Sequence, residues 1–215
     1  MNARVRVKFC GMTRADDVAA ACALGVDAIG LVMTRRSRRF VPLDLAVSLR
    51  AAVPPFVAVV TLLLDDEPAW VHEIISRVAP DLLQFHGDEA AEHCTAFGRR
   101  YLKAVPMGGV ADVPAYVRSH PQAAGFLLDS HAVGGQGGSG IAFDWTRVPR
   151  DMARPLLLAG GLHAGNVADA VRIAQPYAVD VSSGIESAPG IKCALKMRQF
   201  IQSLGRAHTD QGTIA

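Results

Sequence analysis

Eight short runs of apolar and β-branched residues recur along the chain with a nearly constant spacing. They occupy residues 5–9, 28–33, 57–64, 81–85, 101–105, 125–128, 156–159 and 179–181. Their starts lie 23, 29, 24, 20, 24, 31 and 23 residues apart. Each interval has room for one strand, one helix and two short loops. The runs lack polar alternation, as expected of strands buried on both faces of a parallel sheet.

The segments between them read as helices: 14–24, 42–51, 67–78, 88–97, 110–118, 164–174 and 189–204. The first has Thr13 as its expected N-cap, Asp16 and Asp17 in its first turn, and Gly25 just past its end. The sixth interval is different, because a glycine-rich stretch leaves room only for a short helix near Trp145. Consecutive β–α–β units are right-handed, and eight of them are the number that closes a barrel. An open doubly wound sheet needs fewer strands and a phosphate fingerprint after the first, which is missing here. The expected fold class is therefore α/β, a single-domain (β/α)8 TIM barrel over residues 1–204. Residues 205–215 are polar and patternless and read as a disordered tail.

Charge narrows the partners. The chain has 22 basic and 20 acidic residues, a formal net charge of +2, which gives no reason to expect a nucleic acid. Arg35, Arg36, Arg38 and Arg39 form the one dense basic patch, which reads as a local anion contact or a solvated loop. No apolar stretch approaches the ~20 residues needed to span a bilayer. The N-terminal residues lack a leader's apolar stretch, and the four widely spaced cysteines suit a reduced compartment, so the expected location is the cytoplasm. The seven histidines show no paired metal-ligand spacing, so no metal site is expected.

In a barrel the chemistry sits at the C-terminal ends of the strands. Read only there, the sequence offers Lys8-Phe9-Cys10-Gly11, Gln84-Phe85-His86-Gly87, Leu128-Asp129-Ser130, Ala159-Gly160-Gly161 and Asp180-Val181-Ser182-Ser183-Gly184. The last two bring backbone N–H groups to the pair of strands where barrels commonly hold a phosphate. Glycines also make ordinary tight turns, but the coincidence at both strands favours a phosphate cradle. Cys22, Cys94 and Cys193 read as helical and inert, whereas Cys10 stands at a strand exit. Asp129 follows a buried Leu-Leu pair, where its pKa is expected to be perturbed. Residues 134–140, five of them glycine, read as a loop that closes over the site.

At these positions the chain resembles the phosphoribosylanthranilate isomerase family, from Lys8 to about Ile201. KFCGMTR, GVDAIGLVMTRRSRRFV, LLQFHGDE, LLDS, GGSGIAFDW, LLAGGLHAGNV and VDVSSGIESAPGIK resemble its motifs in order. The pattern departs at Arg38, where proline is usual, at Phe85 for leucine, and in GGSGIA, which lacks a lysine. His163-Ala164-Gly165-Asn166 replaces the usual run after strand seven.

The resemblance implies an Amadori rearrangement of N-(5′-phosphoribosyl)anthranilate in tryptophan biosynthesis, without metal or organic cofactor. Asp129 is then the acid that protonates the ring oxygen, so burial is expected to raise its pKa, and Cys10 the base that removes the C2 proton. At an ordinary pKa of ~8.5, Cys10 would be only a few per cent thiolate near neutral pH. Arg39 is the implied ligand of the anthranilate carboxylate through a bidentate fork, or else a solvated loop arginine. Gln84 and His86 line the pocket floor, or His86 is a satisfied core residue. Gly160, Gly161, Ser183 and Gly184 hold the phosphate, and Asp180 holds loops together. The expected partner is a small phosphorylated molecule, bound by a monomer or homodimer. Two rivals remain: another aminoaldose isomerase, expected to carry an acid in place of Cys10, and a non-catalytic phosphate-binding barrel, which needs neither Cys10 nor Asp129.

Overall fold

The computed structural model describes residues 4–110, 112–131 and 142–211. Eight parallel strands, β1 (Arg6–Cys10), β2 (Ala28–Val32), β3 (Ala58–Leu63), β4 (Leu82–Phe85), β5 (Tyr101–Pro106), β6 (Gly125–Asp129), β7 (Leu156–Leu158) and β8 (Ala178–Val181), form a closed barrel in chain order. Closure is the β1–β8 pairing, with Lys8 opposite Asp180 and Phe9 opposite Val181. Each expected strand is present, with ends displaced by a residue or two.

The strand pleat separates two cores. Val60, Leu102, Ala104, Leu127, Leu157 and Ala178 pack together in a small cluster within the barrel. Residues of opposite parity, such as Phe9, Ile29, Leu83, Phe126 and Val179, pack in the larger cluster against the helices. Phe9 meets Phe200 of the last helix edge to face at 5.9 Å. On β1 the alternation therefore sends Phe9 toward the helices, and Lys8 and Cys10 the other way.

The helices are α1 (Ala15–Ala23), α2 (Leu43–Ala51), α3 (Pro68–Val78), α4 (Ala91–Thr95), α5 (Val113–Arg118), α6 (Val167–Ala174) and α7 (Ala194–Gln211). Several differ from expectation for local reasons. Thr13 does not cap α1; its hydroxyl donates to the Gly190 carbonyl, and Arg14 stands at the N-cap without a side-chain bond. The α4 segment starts late, because the Asp88 N–H is held by Asp65 and the Glu89 carboxylate by buried Lys103. α5 starts at Val113 because Asp112 caps it, accepting from the Ala115 N–H at 2.8 Å. The segment before α7 is a hairpin, β9 (Glu186–Ala188) with β10 (Ile191–Lys192), turning at Gly190 with φ +82°. α7 then runs to Gln211, seven residues into the segment read as a tail. A single Gly205 costs only about 1 kcal/mol in a helix, and Arg206, Ala207 and Gln211 are good helix formers. The single turn expected near Trp145 is a 3-10 helix, Trp145–Arg147. The glycine-rich segment 134–140 lies outside the described residues.

Candidate active site

The exits of β1, β4, β6 and β8, with the loop after β2, line a cavity of about 130 Å³. Cys10, Arg39, Gln84, His86, Asp129, Asp180 and Ser182 all face it. A larger cleft, about 430 Å³, lies at the opposite end of the barrel near Tyr177 and gathers no carboxyl, thiol or imidazole.

Cys10 ends β1 beside Gly30 of β2. A Cβ at Gly30 would stand 2.7 Å from the Cys10 sulfur and 3.0 Å from the Lys8 nitrogen, so glycine makes room for both. Burial pushes the Cys10 thiol up, against the pull of the Lys8 ammonium, and the net direction is up. At rest the group is a thiol rather than a thiolate. Lys8 donates to Asp180 at 2.9 Å, with both side chains buried. Burial opposes the Lys8 charge, but Asp180 and Cys10 outweigh it and hold its pKa above the ordinary value.

Asp129 corrects an expectation. Burial does push its carboxyl up, but His131 and His86 outweigh that, and the net direction is down. His86 Nε2 lies 3.5 Å from one carboxylate oxygen and His131 Nδ1 3.6 Å from the other. The two imidazoles stack with centroids 4.5 Å apart. Burial pushes His86 down to about 4, so it is a neutral imidazole near neutral pH. His86 is thus no satisfied core residue, since its Nε2 has no hydrogen-bond partner among the described residues. Gln84, fully buried on β4, brings its Nε2 to 3.3 Å from His86 Nδ1.

Arg39 also departs from the reading. Its bidentate fork is already taken: Nε and Nη2 donate to the two oxygens of Glu186 at 2.8 and 2.7 Å. Strand β9 places Glu186 there, and Lys192 on β10 donates to the same carboxylate at 2.8 Å. Burial pushes Glu186 up, but the two cations outweigh it and hold it below its ordinary value. Nη1 of Arg39 has no hydrogen-bond partner among the described residues. Gly11, with φ +75°, makes this packing possible, since a Cβ there would stand 2.6 Å from the Arg39 side chain.

Gly160, Gly161, Ser183 and Gly184 form one corner beside the cavity. Gly160 and Gly161 have φ of +78° and +63°. A Cβ on Gly160 would come within 2.6 Å of the Ser130 amide, and one on Gly184 would collide with the Leu162 carbonyl. The loops after β6, β7 and β8 therefore touch. Asn166 pins the corner, accepting from the His163 N–H and donating to the Gly161 carbonyl. Of the two serines after β8, Ser182 faces the cavity.

Three contributors were not assigned a role from sequence: His131, Glu186 and Lys192. His131 stands two residues past Asp129 at the same strand exit, a signal the adjacent glycine-rich segment masked. Glu186 and Lys192 lie on a hairpin that the sequence read as loop and helix.

A (β/α)8 barrel with a buried thiol and a buried carboxyl facing one cavity at its C-terminal rim defines the class: a barrel enzyme built for proton transfer. The family model for N-(5′-phosphoribosyl)anthranilate (PRA) isomerase matches residues 7–203, and the chain belongs to that family. Over 206 residues it is 52% identical to N-(5′-phosphoribosyl)anthranilate isomerase of Stenotrophomonas maltophilia, covering 95% of this chain and 94% of the relative. It is 51% identical to that of Halorhodospira halophila, covering 94% and 98%. Among solved structures it is similar to the Thermotoga maritima enzyme, with a TM-score of 0.83 at 35% identity, covering 94% of this chain and 99% of that one. Another phosphoribosylanthranilate isomerase, solved with reduced 1-(o-carboxyphenylamino)-1-deoxyribulose 5-phosphate, aligns with a TM-score of 0.80 at 33% identity and the same coverage. The activity is that of an isomerase of N-(5′-phosphoribosyl)anthranilate in tryptophan biosynthesis.

Proposed function

We propose that Asp129 is the general acid and Cys10 the general base of this isomerisation, because both face the one cavity that also receives Arg39. Asp129 gives its proton to the furanose oxygen, the C1–O bond breaks, and a cationic Schiff base forms at C1. Cys10 takes the C2 proton, and the enolamine tautomerises to the aminoketone.

The resting site holds a thiol at Cys10 and a carboxylate at Asp129. The working site needs a thiolate and a carboxylic acid, so the two states differ by one proton moved from sulfur to oxygen. The substrate supplies the charges that favour this move. Its phosphate and carboxylate bring negative charge to the rim, which favours a protonated Asp129. Its Schiff base is cationic, which favours a thiolate at Cys10.

In this reading Arg39 meets the anthranilate carboxylate through Nη1 while Glu186 holds the rest of the guanidinium in place. Gln84 and His86 line the floor. Backbone N–H groups of Gly160, Gly161, Ser183 and Gly184 receive the phosphate. The reaction runs in the cytoplasm, supported by four free cysteines. No described helix is long and apolar enough to cross a membrane. The chain works as a monomer or homodimer, and sedimentation at assay concentration decides which; the T. maritima relative is described as dimeric.

The test is loss of anthranilate-adduct fluorescence, with phosphoribosylanthranilate generated in situ. Cys10→Ser and Asp129→Asn should each lower kcat by at least ~100-fold. Full activity in either variant removes that residue from its role.

A further inference from the structure

Three buried side-chain atoms at the exits of β4 and β6 have no hydrogen-bond partner among the described residues: His86 Nε2, His131 Nδ1 and Gln84 Oε1. The first two flank the Asp129 carboxylate at 3.5 and 3.6 Å. All three ligand-type atoms, two nitrogens and one carboxylate oxygen, lie within 4.8 Å of one another. Buried polar atoms normally find partners, so three orphans in one place call for a common cause.

A tetrahedral Zn²⁺ with metal–ligand bonds of about 2.0–2.1 Å sets its ligands about 3.4 Å apart. Each imidazole nitrogen stands 3.5–3.6 Å from its own oxygen of Asp129, and one atom from each residue lies within 4.8 Å of the other two, so closing on a shared ion needs side-chain movements on the order of 1 Å. Gln84 supplies the outer support such a site requires. When its amide turns so that Oε1 accepts from His86 Nδ1–H, the Nε2 lone pair is released toward the ion and the third orphan is satisfied. Two imidazoles and one carboxylate suit a borderline cation such as Zn²⁺ or Co²⁺, not Mg²⁺. The cavity walls include His86 and Asp129, which gives the ion a route and a position for a fourth, water ligand.

We propose that His86, Asp129 and His131 form a binding site for one divalent transition-metal ion of the Zn²⁺ class, and that this ion inhibits the isomerase by occupying the Asp129 carboxylate. Metal binding stands apart from the catalytic reading; only the inhibition rests on Asp129 being the acid.

The binding is tested without substrate. Chelator-stripped protein is titrated with Co²⁺ and its visible d–d absorption is followed, with Zn²⁺ as the displacing ion. One saturable, Zn²⁺-displaceable band per chain is expected, weakened at least ~10-fold in affinity by His131→Ala and unchanged by Cys10→Ser. Gln84→Met keeps all three ligands and should weaken binding by ~10–100-fold, which decides the matter if His131→Ala does not fold. Absence of a saturable band, wild-type affinity in both the histidine and glutamine variants, or loss of the band in Cys10→Ser overturns the site. In the turnover assay, Zn²⁺ should inhibit and EDTA should restore activity. Metal binding without inhibition keeps the site and overturns its inhibitory role.

Discussion

The two sides of the cavity are built on opposite principles. On the β1–β8 side every buried charge has a partner: Lys8 with Asp180, and Arg39 and Lys192 with Glu186. On the β4–β6 side Gln84, His86 and His131 each leave a buried polar atom without a partner among the described residues, and Asp129 is flanked by imidazoles at 3.5 and 3.6 Å. The paired side is rigid scaffolding that fixes Cys10 and Arg39. The unpartnered side has spare hydrogen-bonding and coordinating capacity, as a surface awaiting a ligand does. The difference teaches that polarity alone does not mark function; unspent polarity does.

The largest effect should come from breaking the paired side. Lys8→Met strands Asp180 as a buried carboxylate without its cation. Removing one member of a buried pair costs about 3–5 kcal/mol, read as a lower denaturation midpoint at unchanged m-value. A loss below ~1 kcal/mol would mean that the Lys8–Asp180 pair is not scaffolding, and the contrast between the sides would collapse.

Unspent polarity also occurs outside the site, at His120. It is 6% exposed, stacks on Tyr116, and its Nδ1 has no partner among the described residues. Burial pushes it down to about 4; Lys103 reinforces this, and Glu89 and Glu92 oppose it. Between pH 4 and the ordinary histidine range the unfolded chain holds this proton and the native protein does not. Stability therefore falls as pH drops through that window. His86, held down in the same way, keeps its share, so His120→Leu should make the stability profile between pH 6.5 and 4 shallower, and an unchanged slope in urea titrations would assign the acid sensitivity elsewhere.

Gly30→Ala tests how tightly the paired side holds the thiol. The added methyl stands 2.7 Å from the Cys10 sulfur, so sulfur or strand must shift. A displacement on that scale is expected to lower kcat by ~100-fold with little change in KM. Unchanged kcat would show that Cys10 need not be held closely.

The barrel was legible in the sequence because its signal is periodic: eight runs separated by 20–31 residues leave few other architectures. Cys10, Asp129, Gln84 and His86 were legible as strand-exit residues, since barrel topology brings all strand ends to one rim, whereas Arg39 was legible only through the family resemblance of its loop. What could not be read were pairings across the rim. Glu186 claims Arg39 from 147 positions away. His131 reverses the expected shift at Asp129, because burial was visible in the Leu-Leu pair but a facing imidazole was not. The β9–β10 hairpin was missed for a similar reason. Its short strands pair only with each other, and no apolar period announces them.

The smallest effect gives the sharpest contrast, because it makes on the unpartnered side the same substitution that is ruinous on the paired side. Gln84 is fully buried and its Oε1 has no partner among the described residues, so methionine of similar length removes one unmet polar group and adds apolar contact, against the loss of the 3.3 Å contact between Gln84 Nε2 and His86 Nδ1. With a chelator present to exclude metal, the two effects offset, and Gln84→Met should change stability by no more than about 1 kcal/mol. Lys8→Met should lower it by several times as much. The measurement is a pair of denaturant curves on otherwise identical proteins. If Gln84→Met costs as much as Lys8→Met, the Gln84–His86 contact carries as much as a buried ion pair, and the β4–β6 side is scaffolding of the same kind as the other.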